Sequence, residues 1–189
     1  MTLKTLFTFL FVTLSTAAAA APKPYAFDYD NSEIGFTYTL NGQTMRGSFP
    51  IFDGMLTVDF ADVRNSVVNV AIDARKGRAG FVFATGALRG PQVLDTERFP
   101  AIRFTSRDAI MSGKSAEIRG DLTVKGITRP ATLDVRFQQV AGQPIEARNT
   151  LDMIITTQLN RHEFGASGYR SLVDGTLNIT IRARIFLLQ

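Results

Sequence analysis

The chain has 189 residues, 45% of them hydrophobic and 20% charged, a balance that fits one globular domain and excludes a disordered or collagen-like polymer. It carries no cysteine, a single histidine and a formal charge of +4. Disulfides, cysteine nucleophiles, acyl-cysteine anchors, thiolate metal sites and multi-histidine metal centres are therefore excluded.

The first segment has the pattern of a secretory signal peptide: Lys4, an apolar run from Leu6 to Leu14, and small residues from Ala17 to Ala21. The apolar run falls short of the ~20 residues that span a bilayer. Cleavage after Ala20 is expected, with residues 21–189 as one exported, periplasmic domain.

Beyond Tyr25 apolar residues recur at every second position, the period of a strand with one buried and one wet face. Ile34, Phe36, Tyr38 and Leu40 form one such row, and Val68, Val70 and Ile72 another. Ala116 to Val124, Ala131 to Phe137 and Leu177 to Ile185 repeat the pattern, with shorter candidates at Met45–Phe49, Met55–Phe60, Ala101–Arg107 and Leu151–Leu159. Turn dipeptides separate the runs: Asn41-Gly42, Asp53-Gly54, Ser112-Gly113, Lys125-Gly126 and Ala141-Gly142. Alternation stops only between Gly77 and Asp95, where Phe81-Val82-Phe83 and Leu88 predict a short helix that contains Gly86 and ends at Gly90-Pro91.

Eight or nine strands joined by tight turns predict an all-β fold, an antiparallel barrel, because closure removes the edges an open sheet exposes. A barrel of about eight strands is either filled by its own side chains or holds one small ligand. Twelve phenylalanines outside the leader and the absence of tryptophan make an apolar lining without ring donors to satisfy.

Sites for catalysis are hard to assemble. His162 stands alone within Asn160-Arg161-His162-Glu163-Phe164-Gly165, which the residues alone suggest is an exposed polar turn. Asp28, Asp30 and Asp53 lie near turns, where carboxylates cap and bend the chain. No phosphate-cradling glycine loop, nucleophile elbow or zinc-protease motif occurs. Lysines and arginines are scattered without a run of five, so no nucleic-acid partner is expected, only a solvated face with weak attraction for anionic lipid headgroups.

In order and spacing, several motifs resemble the YceI family of exported lipid- and polyisoprenoid-binding proteins. They are Phe27 to Phe36, Arg46-Gly47-Ser48-Phe49 with Phe52-Asp53-Gly54, Arg98-Phe99-Pro100 with Phe104-Thr105-Ser106, Gly120 to Pro130, and Asn160 to Gly165. The resemblance implies an extended lipocalin-like barrel of eight strands with a helical segment, holding a long isoprenoid, quinone-like or fatty chain. It implies no enzyme activity and no cofactor besides that lipid, and it leaves open a transient membrane-surface contact and a homodimer. Asn31, Leu40 and Thr85 depart from the polar residues usual in the family, which puts its headgroup preference in doubt here.

The pocket is expected to draw on Ile34, Phe36, Tyr38, Phe49, Phe52, Phe83, Leu88, Phe99, Phe104, Leu122, Phe137 and Phe164, with Tyr38 and Tyr169 as hydrogen-bonding ends. An accessory protein of a membrane redox system is the alternative; it would show a filled barrel and an exposed aromatic patch. A lipid-modifying enzyme is the third, and it would need His162 or a carboxylate aimed into the cavity.

Overall fold

The fold is taken from a computed structural model that describes residues 22–138 and 142–188, the side chains of Ile51 and Phe52 excepted. The leader expected at residues 1–20, and Ala141 of the Ala141-Gly142 turn, lie outside the described residues.

Ten strands and one helix follow one another: β1 (Lys23–Phe27), β2 (Glu33–Leu40), β3 (Gln43–Phe49), β4 (Ile51–Val58), β5 (Val67–Asp73), α1 (Val82–Arg89), β6 (Ala101–Ser112), β7 (Ser115–Val124), β8 (Ile127–Phe137), β9 (Thr150–Asn160) and β10 (Thr176–Leu187). All pairings are antiparallel, in the ring order β1, β4, β5, β6, β7, β8, β9, β10, and β10 pairs back onto β1. β2 and β3 add no staves of their own. β10 pairs with β1 through Ile185–Leu187 and with β2 through Asn178–Arg182, so β1 and β2 are two lengths of one course.

Both interruptions have local causes. Asp28 accepts from the backbone and side-chain nitrogens of Asn31, capping a one-turn 3-10 helix that breaks β1 from β2. Pro50 separates β3 from β4, having no N–H to give to a ladder. The result is the closed eight-stranded antiparallel barrel with one helix that alternation predicts. β6 is longer than its sequence signal: it runs to Ser112 across a bulge between Ser106 and Asp108, which interrupts the period. Asn41-Gly42 and Lys125-Gly126 both lie at positive φ, as two-residue hairpins that match the strand twist require.

The two ends of the barrel differ. Where β1 and β4 close the ring, Tyr25, Leu56, Val135, Leu151, Met153 and Ile185 interlock in a packed core. At the other end β3 does not pair with β5. Its free edge meets Arg78 instead, through reciprocal backbone bonds between Ser48 and Arg78, each 2.9 Å. This splay opens the barrel, and α1 lies across the opening.

Candidate functional site

Inside the splayed half is a cavity of about 1000 Å³, at the upper end of the roughly 300–1,000 Å³ typical of small-molecule pockets. Inward rows of the strands form its wall: Ile34, Phe36, Tyr38 and Leu40 of β2, Val68, Val70 and Ile72 of β5, and Leu177, Ile179 and Ile181 of β10. Ala84, Ala87 and Leu88 of α1 cover it, and Ala166, Tyr169, Leu172 and Val173 of the loop before β10 complete the rim.

Most of the residues expected at the pocket meet there. Ile34, Phe36, Tyr38, Phe49, Phe83, Leu88, Phe104, Leu122, Phe164 and Tyr169 line the cavity. The rings of Phe36 and Phe49 lie 5.4 Å apart, a separation that favours tilted aromatic pairs. Two residues do not belong to the wall. Phe99 packs its ring where a Cβ on Gly126 would sit and stacks under the Arg98 guanidinium at 5.2 Å, outside the cavity. Phe137 points inward as its row predicts, but so far along β8 that it packs on the filled core. Phe52 lies in β4, and its side chain is outside the described residues.

The two tyrosines expected as hydrogen-bonding ends differ from one another. The Tyr38 hydroxyl donates to Ala79 O at 2.8 Å, and burial pushes its pKa up, so it stays protonated and fastens the segment leading to α1. Tyr169 stands half-exposed on the rim. Of the three departures from the family pattern, Leu40 alone has its side chain in the wall. Thr85 accepts from Ala79 N with its hydroxyl, and Asn31 is exposed, bonded to Asp28.

The Asn160–Gly165 segment corrects its sequence reading as an exposed turn. Arg161 is only 6% exposed, and its guanidinium donates to the carbonyls of Ala166, Gly168, Val173 and Asp174. Burial lowers its pKa, with Arg170 repelling it further. One fork thus ties the 166–174 loop at four carbonyls, beside its backbone bonds to the end of β2, while Phe164 enters the cavity. Sequence reading also left out the rim residues Ala166, Leu172 and Val173, because an irregular loop carries no period.

No carboxylate and no imidazole lines the cavity among the described residues; the polar side chains touching it are Tyr38, Gln92, Thr157, Arg161 and Tyr169. His162 turns away, with its buried Nδ1 unpartnered among the described residues. Desolvation, then Arg161 and Arg170, lower its pKa. The unfolded imidazole titrates near 6.5, so below about that pH the unfolded chain binds more protons and stability falls as pH drops toward the folded pKa. Urea unfolding from about pH 7.5 to about pH 5.5 should show this slope in the parent and a flatter one in His162→Gln; identical slopes would assign it to other groups.

Comparison with known proteins adds the following. The family model described as YceI-like domain matches residues 25–185. A UPF0312 protein of Pseudomonas putida (strain GB-1) is 27% identical over 142 residues, 75% of this chain and 70% of that protein. Protein YceI of Escherichia coli O157:H7 is 33% identical over 91 residues, 48% of each. Among solved structures, Burkholderia cenocepacia BcnA superposes with a TM-score of 0.75 at 18% identity, over 84% of this chain and 99% of that one. A polyisoprenoid binding domain from Saccharophagus degradans, implicated in plant cell wall breakdown, superposes with a TM-score of 0.61 at 10% identity, over 87% and 98%. At these identities the structures establish the shared fold.

Proposed function

The chain belongs to the YceI-like domain family, and from that premise we propose that it is an exported, periplasmic carrier of an amphiphile whose long apolar chain, an isoprenoid, quinone-like or fatty tail, lies inside the barrel. The observation that carries this reading is the cavity itself, of about 1000 Å³ and walled almost wholly by aliphatic and aromatic side chains. Each methylene moved from water to such a wall gains ~0.8 kcal/mol, so a tail of many carbons offsets the cost of ordering it. A binding domain for polyisoprenoids with the same fold supports the choice of tail.

We propose no catalysis. Acid-base work on a bound lipid needs a titratable group free to reach it; no carboxylate or imidazole lines the wall among the described residues, the Tyr38 hydroxyl is given to Ala79 O and the guanidinium to backbone carbonyls. The accessory-protein reading looks for a filled barrel with an exposed aromatic patch; Phe81 and Phe83 are exposed, but the hollow half of the barrel favours the carrier.

The test is solvent extraction of protein purified from its native source, followed by mass spectrometry. A stoichiometric prenyl, quinone or acyl species is expected, and its removal should lower the melting temperature, because a ligand that binds only the folded state stabilises it. A protein that yields no lipid and takes up no added isoprenoid would overturn the carrier reading.

A further inference from the structure

Beside the cavity, on the outer face of β10, β2 and β3, runs a groove of about 1030 Å³ with a different chemistry. Gly35, Thr37, Ser48 and Thr180 floor it, while Arg46, Arg78, Arg89 and Arg182 reach over it with Glu33 as the one carboxylate. Arg64, Arg75, Arg107 and Arg184 are each bridged to an aspartate. The side chains of Arg46, Arg78 and Arg182 make no ion pair or hydrogen bond among the described residues. Three guanidiniums without an ion-pair partner over threonine and serine hydroxyls match the chemistry that binds phosphate oxygens.

Groove and cavity meet at the start of α1, where Phe81 and Val82 border both. That end of the helix is exposed against its chemistry: Phe81 is 42%, Val82 84% and Phe83 85% exposed. Tyr169 and Leu172, across the rim, are 44% and 45% exposed. Apolar side chains at the tip with cations at their flank are the pattern by which a helix lies in a lipid interface, and anionic headgroups complement the arginines.

We propose that this side of the molecule is a bilayer-docking face, with Phe81, Val82 and Phe83 entering the interface while the arginine groove seats the phosphate headgroup of an anionic lipid. Docking would bring the cavity rim against the acyl region, where an apolar cargo resides. The inference rests on the carrier reading for its purpose, and on the exposed tip and the groove for its chemistry.

Because the chain has no tryptophan, Phe83→Trp supplies a single reporter on the tip. With phosphatidylglycerol–phosphatidylcholine vesicles its emission should shift to the blue and the protein should co-sediment. Pure phosphatidylcholine should produce neither effect, and inorganic phosphate without vesicles should leave the emission unchanged. Arg46→Glu/Arg78→Glu, which alters the groove and not the cavity wall, should weaken vesicle binding roughly tenfold or more while keeping parental folding by circular dichroism and parental cargo by extraction. Equal binding to neutral vesicles, unchanged binding of the double variant, or a parent whose groove binds inorganic phosphate while the protein fails to bind anionic vesicles would overturn the docking face. A parent that carries no lipid yet binds anionic vesicles through these arginines would leave the docking face standing and remove the carrier reading instead.

Discussion

Ile179→Trp is expected to cut cargo binding tenfold or more while leaving the fold as stable as the parent, or more so. Ile179 sits in the first third of β10, opposite Phe36 of β2 on one side and Thr157 of β9 on the other, and faces the cavity. In a packed core the added ring would force neighbours off their rotamers at a cost of about 1–3 kcal/mol. Here it enters a cavity of about 1000 Å³, where new atoms gain dispersion contacts and displace none. Binding and stability therefore move in opposite directions, a split that a filled barrel cannot give. The measurements are the lipid recovered per protein on extraction and the urea midpoint of the delipidated form. A midpoint lowered by more than about 1 kcal/mol equivalent, with cargo retained, would mean that this half of the barrel is packed and that the ligand lies elsewhere.

The contrast between the two ends of the barrel also shows what the residues could announce in advance. Alternation on β2, β7, β8 and β10 gave the inward rows correctly, because a period of two follows from the pleat alone. How deep along the barrel each row sits is decided by register, and register carries no signal within one strand. That is why Phe104 and Leu122, cross-strand partners on β6 and β7, line the cavity, whereas Phe137, equally apolar and inward, joins the filled core. Phe99 was misplaced for another reason: it follows a turn, outside any row, and packs on the Lys125-Gly126 hairpin. The motif from Gly120 to Pro130 has a physical account once the fold is known. A Cβ on Gly120 would collide with the Phe104 ring, so the glycine makes room for one wall of the cavity. Lys125, at the turn, donates to Pro91 O and Gly165 O and ties the hairpin to the two segments that cover the opening.

Arg161 was the least legible residue, because a buried guanidinium in a polar stretch reads as surface, and it carries the second large prediction. Its four carbonyl partners come from a loop whose other ties are a single bridge, Val173 to Leu40, and a few backbone bonds, so the side chain supplements sparse secondary structure. Arg161→Met keeps an apolar stem of similar length and removes every donor. Each hydrogen bond to a charged group contributes about 1.5–3 kcal/mol. Allowing for water reaching part of the loop, the expected loss is about 3 kcal/mol or more of unfolding free energy. Arg161→Lys should recover less than half of that, since one ammonium with three donors cannot span a fork cut for a planar guanidinium. Cargo retention should fall in the same order, parent above Lys above Met, because the loop that the guanidinium ties carries the rim residues Ala166, Leu172 and Val173. Urea unfolding and lipid extraction on the three proteins read both quantities. If the methionine variant loses less than about 1 kcal/mol and keeps its lipid, the loop is held by its own packing and the guanidinium is incidental to the rim.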